Sequence, residues 1–146
     1  KYFILKVDPQ KTMLFNPKES IDFNGNTGPF IQYSYARIKS VLRKVETSPV
    51  KADVNIAIAE KEQELIKSLA KLPAVVKEAG DKYSPAVIAN YAYELAKAFN
   101  QFYHDFPMLK EENETLRNFR LLLAANCAKA LKSAMGMLGI EMVERM

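Results

Sequence analysis

Phe30, Tyr33, Arg37 and Lys44 fall on one stripe of a helix when this chain of 146 residues is wound at about 100° per residue. That stripe is rotated well away from a second one formed by Ile31, Tyr35, Ile38, Leu42 and Val45. Rings stack on unpaired bases and cations hold phosphate, so an aromatic and basic face apart from the core has the chemistry of a nucleic-acid surface. Arg37 offers a planar fork of donors, whereas Lys44 is a point charge. The same pattern also fits rings packed on a neighbouring domain beside solvated cations, and spacing alone leaves both readings open.

Other reactive side chains are few. Cys127, the single cysteine, lies on an apolar helical stripe and reads as a core thiol. It cannot form an internal disulfide or share a zinc site with other cysteines. His104, the single histidine, has only Asp105 beside it in sequence. Adjacent helical residues do not face each other, which leaves it without a positioned partner for general-base work. Tyr103 and His104 belong to an aromatic cluster that runs from Tyr91 to Phe106; most of it sits at core spacing, and these two lie at the helix end beyond it, freer to reach a ligand. Glu60, Glu62, Glu64, Glu111, Glu112 and Glu114 stand in mixed charge runs, the mark of a solvated face, and no paired-carboxylate site is visible. The Gly25-Asn26-Thr27-Gly28 turn before a helix could offer backbone N–H groups to a phosphate, although the signal is weak and a plain turn is the better account of it.

The elements that must position these residues are helices. Residues 1–28 carry Asp8-Pro9, Asn16-Pro17 and the Gly25–Pro29 cluster, which predict an irregular opening segment with one short regular piece over Tyr2–Val7. Pro29 then suits the start of a helix capped near Thr27 or Gly28, ending at Thr47-Ser48-Pro49. From Asp53 onward the pattern stays helical. Glu60–Leu72 is amphipathic, Pro73 interrupts it, and Gly80 is placed to cap the following turns. Ser84-Pro85 opens a helix that exits at Pro107, and Glu114–Leu138 forms the last one, closed by Gly139. The expected fold class is all-α, a bundle of about five helices.

Composition agrees with a globular domain: 49% of residues are hydrophobic and 26% charged, which excludes disorder and disulfide-stapled designs. The longest apolar run, Leu121–Ala125, is far short of the ~20 residues that cross a bilayer. A soluble, cytoplasmic protein is expected, with no membrane partner. The net charge of +4 mildly favours polyanions. The chain opens at Lys1 without a Met and reads as a piece of something longer.

Taken together, three stretches resemble one family. Gly25–Tyr33, leading into Ala36-Arg37-Ile38 and Leu42-Arg43-Lys44, is similar to arginyl-tRNA synthetases where the catalytic domain meets the helical anticodon-binding domain. Tyr91–Tyr103 looks like the central helix of that domain, and Leu116-Arg117 with Leu138–Met146 resembles its last helix and C-terminus. The resemblance implies residues 1–28 as the segment from the catalytic domain and residues 29–146 as the anticodon-binding domain of a class I enzyme, which is a monomer in this family. It implies an arginine-accepting tRNA as partner, together with the catalytic domain of the same chain. ATP and Mg²⁺ are implied for the whole enzyme and no cofactor for this part, because signatures of the His-Ile-Gly-His and Lys-Met-Ser-Lys type are not found here. Carried over by position, Phe30, Tyr33 and Arg37 come near the anticodon arm, and Tyr103 and Met146 approach the anticodon loop. Lys44 would hold phosphate with Arg37, while Lys39 and Arg43, also expected to bind tRNA, point to another side of the helix. The family often has Tyr at the position of Phe30 and His at that of Tyr35. The competing expectation is a helical protein-interaction domain without RNA binding, in which Phe30 and Tyr33 bury against a partner.

Overall fold

The computed structural model describes residues 1–45 and 56–146. Two short helices, α1 (Tyr2–Leu5) and α2 (Pro17–Ser20), lie in the opening segment. Five longer ones follow: α3 (Gly28–Leu42), α4 (Glu60–Ala70), α5 (Leu72–Asp81), α6 (Pro85–Asp105) and α7 (Glu114–Met137), with a 3₁₀ turn at Met108–Lys110. No strand occurs among the described residues, so the all-α bundle is as the periodicity predicts. The expected helix end at Thr47-Ser48-Pro49, and the expected helical onset at Asp53, lie outside the described residues.

Local chemistry sets the helix ends. Thr27 Oγ1 accepts from Phe30 N–H (3.3 Å) at the start of α3, with Pro29 in its first turn. Asn113 Oδ1 accepts from Leu116 N–H (3.1 Å) at the start of α7. At the end of α7, Gly139 adopts φ +66° while Ile140 N–H bonds Met135 O (2.9 Å) and Gly139 N–H bonds Gly136 O (2.9 Å). This is a Schellman stop, and its left-handed residue is the glycine that such a stop prefers. Gly28 meets a different need. A Cβ there would lie 3.2 Å from Tyr2 Cβ, so its bare backbone lets α1 lie close to α3.

Helix α6 is the axis of the bundle and packs against α3, α4, α5 and α7. Its Leu95, Phe99 and Phe102 are fully buried with Ile31 and Ile38 of α3, Leu65 of α4 and Leu131 and Met135 of α7. Each such side chain contributes about 1.5–3 kcal/mol by leaving water. Tyr2 ties the opening segment to this axis, its hydroxyl placed 2.8 Å from Ala89 O and 2.5 Å from Asn26 Oδ1. Cys127 is buried as expected, and desolvation pushes its thiol far above the ordinary range.

Two expectations fail. Glu62, read as part of a solvated charge run, has no exposed surface. Its Oε1 receives Arg120 Nε at 2.6 Å and its Oε2 accepts from Ala59 N–H at 2.7 Å. Arg120 Nη1 also reaches Glu111 Oε2 at 2.6 Å. The guanidinium therefore joins α4, α7 and the 3₁₀ region in one ionic triad, and paired carboxylates exist here for packing. Gly80, expected to cap α5, lies inside it. The left-handed residue is Tyr83 (φ 50°), with Ser84 N–H bonding Ala79 O (3.0 Å) and Tyr83 N–H bonding Gly80 O (3.2 Å). The stop is again a Schellman motif, but a tyrosine occupies the position where glycine is usual.

Candidate nucleic-acid interface

Helix α3 carries its buried stripe as predicted: Ile31, Tyr35 and Ile38 are sealed, and Leu42 and Val45 are half-buried. The opposite stripe is where the candidate residues stand. Arg37 is held between two rings, its Cζ 4.8 Å from the centroid of Tyr33 and 5.2 Å from that of Tyr103 on α6. Arg37 Nη1 donates to Asn100 Oδ1 at 2.5 Å, Asn100 Nδ2 donates to Ser34 Oγ at 2.7 Å, and Ser34 Oγ donates to Phe30 O at 2.8 Å. This relay of neutral groups fixes the guanidinium without neutralising it. Among the described residues no carboxylate pairs with Arg37, and most of its five N–H donors remain for an outside acceptor.

The two rings are positioned unequally. Tyr33 is 42% exposed, with Phe23 of the opening segment edge-on at 6.2 Å. Tyr103 is partly covered and leans on Phe99, 6.1 Å away. Below them opens a cleft of about 580 Å³, walled by Arg37, Asn100, Tyr103 and His104 and floored by Val41 and Met108. A shallower hollow of about 520 Å³ continues across Asn100 and His104 to Phe30 and Lys97.

The remaining candidates separate into three groups. Phe30 does not stand clear of the protein: it is half-buried against Tyr93, ring centroids 5.5 Å apart, because α6 brings that tyrosine opposite it. Lys39 and Arg43 engage the C-terminal tail. Lys39 Nζ lies 3.0 Å from Glu144 Oε1, Arg43 Nη1 donates to Glu144 O at 3.0 Å, and Gln32 Nε2 donates to Glu141 O at 2.8 Å. These contacts, with Met142 buried beneath, lay the tail along α3. The hydrogen bond and charge of Lys39 hold the Glu144 carboxyl below the usual carboxylate range. Lys44 and Met146 are exposed, Met146 at 58%, and neither joins the Arg37 cluster by a hydrogen bond or ion pair among the described residues.

His104 departs from expectation, since it does meet its neighbour: Nδ1 lies 3.0 Å from Asp105 Oδ1 at the last turn of α6. Asp105 is also bonded by Lys61, and its carboxyl is lowered first by the His104 hydrogen bond and then by that of Lys61. The Gly25–Gly28 turn is occupied internally, Thr27 capping α3 and donating to Asp22 O while Asn26 O accepts from Lys6 Nζ at 2.8 Å. Asn100 and Ser34 escaped the sequence reading. Their signal was a polar residue beside a stripe that is otherwise apolar, at Asn100 next to Phe99 and Phe102.

A bundle threaded on one long helix, with a cationic aromatic cleft on its flank, defines an all-α helical domain. The family follows from comparison: residues 31–146 match the model of the DALR anticodon binding domain, and the chain belongs to that family. It is 63% identical over its whole length to an arginine–tRNA ligase of Parabacteroides distasonis and 60% identical to one of Bacteroides thetaiotaomicron. It covers 25% of each, so the chain spans about a quarter of the length of these relatives. Among solved structures it resembles the Thermus thermophilus arginyl-tRNA synthetase, with a TM-score of 0.91 at 31% identity, covering 99% of this chain and 25% of that one. The Plasmodium falciparum enzyme gives a TM-score of 0.86 at 27% identity, covering 99% and 26%.

Proposed function

We propose that this chain is the part of an arginine–tRNA ligase that grips the anticodon arm of its tRNA. The observation that carries the reading is the un-neutralised guanidinium of Arg37, fixed by neutral Asn100 between Tyr33 and Tyr103. In this reading a loop base stacks on the open face of Tyr33, a second enters the cleft beside Tyr103, and the free N–H groups of Arg37 hold a phosphate. Lys44 adds charge at the end of α3, and Met146 lies at the end of the docked tail. Phe30 shapes the hollow beside the cleft. Lys39 and Arg43 contribute field and hold the tail.

The tRNA is arginine-accepting, and its ligation to arginine takes place in the remaining part of a cytoplasmic, monomeric enzyme. ATP and Mg²⁺ serve that reaction in the remaining part of the enzyme. Residues 1–28 join the two parts, and residues 29–146 form the binding domain. Support for a catalytic-domain neighbour comes from the opening segment, where Leu14, Phe15, Ile21 and Phe23 stand exposed. That apolar surface fits a protein partner on the same chain, and through Phe23 it reaches the edge of the Tyr33 ring.

Titration of arginine-accepting tRNA at two salt concentrations tests the reading. Affinity should fall steeply with salt, by about 0.7–0.9 in log–log slope for each phosphate held. Weak, salt-independent binding would instead favour a protein-interaction bundle whose aromatic face meets a partner.

A further inference from the structure

The far end of α6 carries a second cleft, of about 930 Å³, between the opening segment and the α5–α6 turn. Its rim holds three lysines, Lys6, Lys11 and Lys82, against one aspartate, Asp8. At its floor α6 begins without a side-chain cap. Ser84 is only 8% exposed, its hydroxyl makes no hydrogen bond within the described protein, and Ala86 N–H has no acceptor there. No sealed polar side-chain atom lacks a partner among the described residues, so the Ser84 hydroxyl opens on the cleft it lines. Beside it stands Tyr83, 90% exposed and held in a left-handed conformation that costs a tyrosine energy and a glycine nothing. A large ring is thus presented to solvent, against its backbone preference, next to the Ser84 hydroxyl and the Ala86 N–H.

The competing contacts are modest. Lys82 is tied to Glu78 at 2.6 Å, Asp8 Oδ1 accepts from Gln10 N–H at 2.8 Å, and Lys6 gives one bond to Asn26 O. Lys11 has no ion pair among the described residues. Ala86, Asn90, Tyr93, Lys97, Asn100 and His104 follow one another at alternating spacings of four and three, which is a single face of α6. The face runs from this cleft to the Arg37 cleft, about 27 Å at a rise of about 1.5 Å per residue.

We propose that this cleft is a second RNA contact, in which Ser84 Oγ–H, Ala86 N–H, Lys11 and Lys82 hold a backbone phosphate and Tyr83 stacks on the adjoining nucleotide. The site rests on the anticodon-arm reading above, since the same tRNA occupies both ends of the α6 face. It takes the part of the tRNA away from the anticodon loop.

Binding of full-length tRNA and of an isolated anticodon hairpin to the whole chain tests it. Lys11→Ala with Lys82→Ala should weaken full-length tRNA about tenfold, lower its salt slope, and leave the hairpin unchanged, whereas Arg37→Ala should weaken both. Tyr83→Gly should raise the melting temperature while lowering full-length tRNA affinity, a pairing that a merely structural tyrosine would not produce. Ser84→Ala gives a further check that removes only the hydroxyl. Unchanged affinity for full-length tRNA in these variants, with Arg37→Ala still impairing both RNAs, overturns the second site and leaves the first intact. A wild-type chain that binds neither RNA overturns both. Inorganic phosphate that shifts the Ala86 amide resonance, while the variants bind tRNA normally, identifies a free-anion site and overturns the RNA assignment.

Discussion

Arg37 and Arg120 are both stacked on aromatic rings and both bridge helices distant in sequence, but they differ in burial and in counter-charge. Arg120 lies 4.4 Å from the Phe106 centroid with Glu62 and Glu111 each at 2.6 Å, and it is almost fully buried. Arg37 has two tyrosines and an asparagine, and no carboxylate among the described residues. A buried charge must have its counter-charge at hand, because removing it from water costs several kcal/mol on the order of the attraction it gains. A half-exposed guanidinium is solvated in the free protein and can keep its charge for a ligand. Ring and cation together therefore do not mark a binding site; the absent counter-charge does.

The largest test of this contrast is Arg120→Ala. It strands Glu62, which has no exposed surface, as an unpaired buried carboxylate. Denaturant unfolding should show a loss of about 3–5 kcal/mol, a large share of the about 5–15 kcal/mol that holds such a domain together. Affinity for tRNA per folded molecule should be unchanged. A loss under about 1 kcal/mol would mean that the triad is no better satisfied than Arg37, and the contrast would collapse.

Arg37→Ala should do the reverse. Its stability cost should stay within about 1 kcal/mol, since it loses one hydrogen bond to a neutral group and partly exposed ring contacts. Its tRNA affinity should fall ten- to a hundredfold, equivalent to about 1.4–2.8 kcal/mol. Tyr33→Ala should weaken binding by about 1–3 kcal/mol if a base stacks there. Arg37→Lys keeps the charge but not the fork, so affinity should recover only in part. Anisotropy titrations alongside melting curves read both quantities, and unchanged affinity in both alanine variants would remove the cleft as the RNA contact.

Periodicity located what depends on local spacing. The Ile31–Ile38 stripe, the Tyr33–Arg37 pair turned away from it, the burial of Cys127 and the glycine stop of α7 are all properties of neighbours three or four residues apart. Charge runs misled where the partner is remote: Glu62 looks solvated until Arg120, 58 positions later, is brought against it. The α5 stop departs from the expected Gly80 for a related reason. The left-handed position is set by which carbonyls the helix leaves unpaired, so Gly80 was passed over and Tyr83 bears the strain. Asn100 was hidden in the apolar run of α6, although it fixes Arg37.

The tail offers the smallest and most discriminating effect, because it separates cations that are engaged from one that is free. Lys39 lowers the Glu144 carboxyl by a hydrogen bond first and by its charge second. A carboxyl lowered in the docked state contributes to docking fully above its ordinary value of about 4.3, and that contribution is lost as pH falls through the lower docked value. An NMR titration should therefore show the tail backbone loosening at acid pH while α6 and α7 stay ordered, and Glu144→Gln should loosen it at neutral pH. Added salt should act in the same direction, since the pair is exposed and screened. Lys39→Ala should then reduce tRNA affinity less than Arg37→Ala, because Lys39 is already occupied by the tail. Equal losses in the two variants would return Lys39 to the RNA face and make the tail an ornament of the bundle.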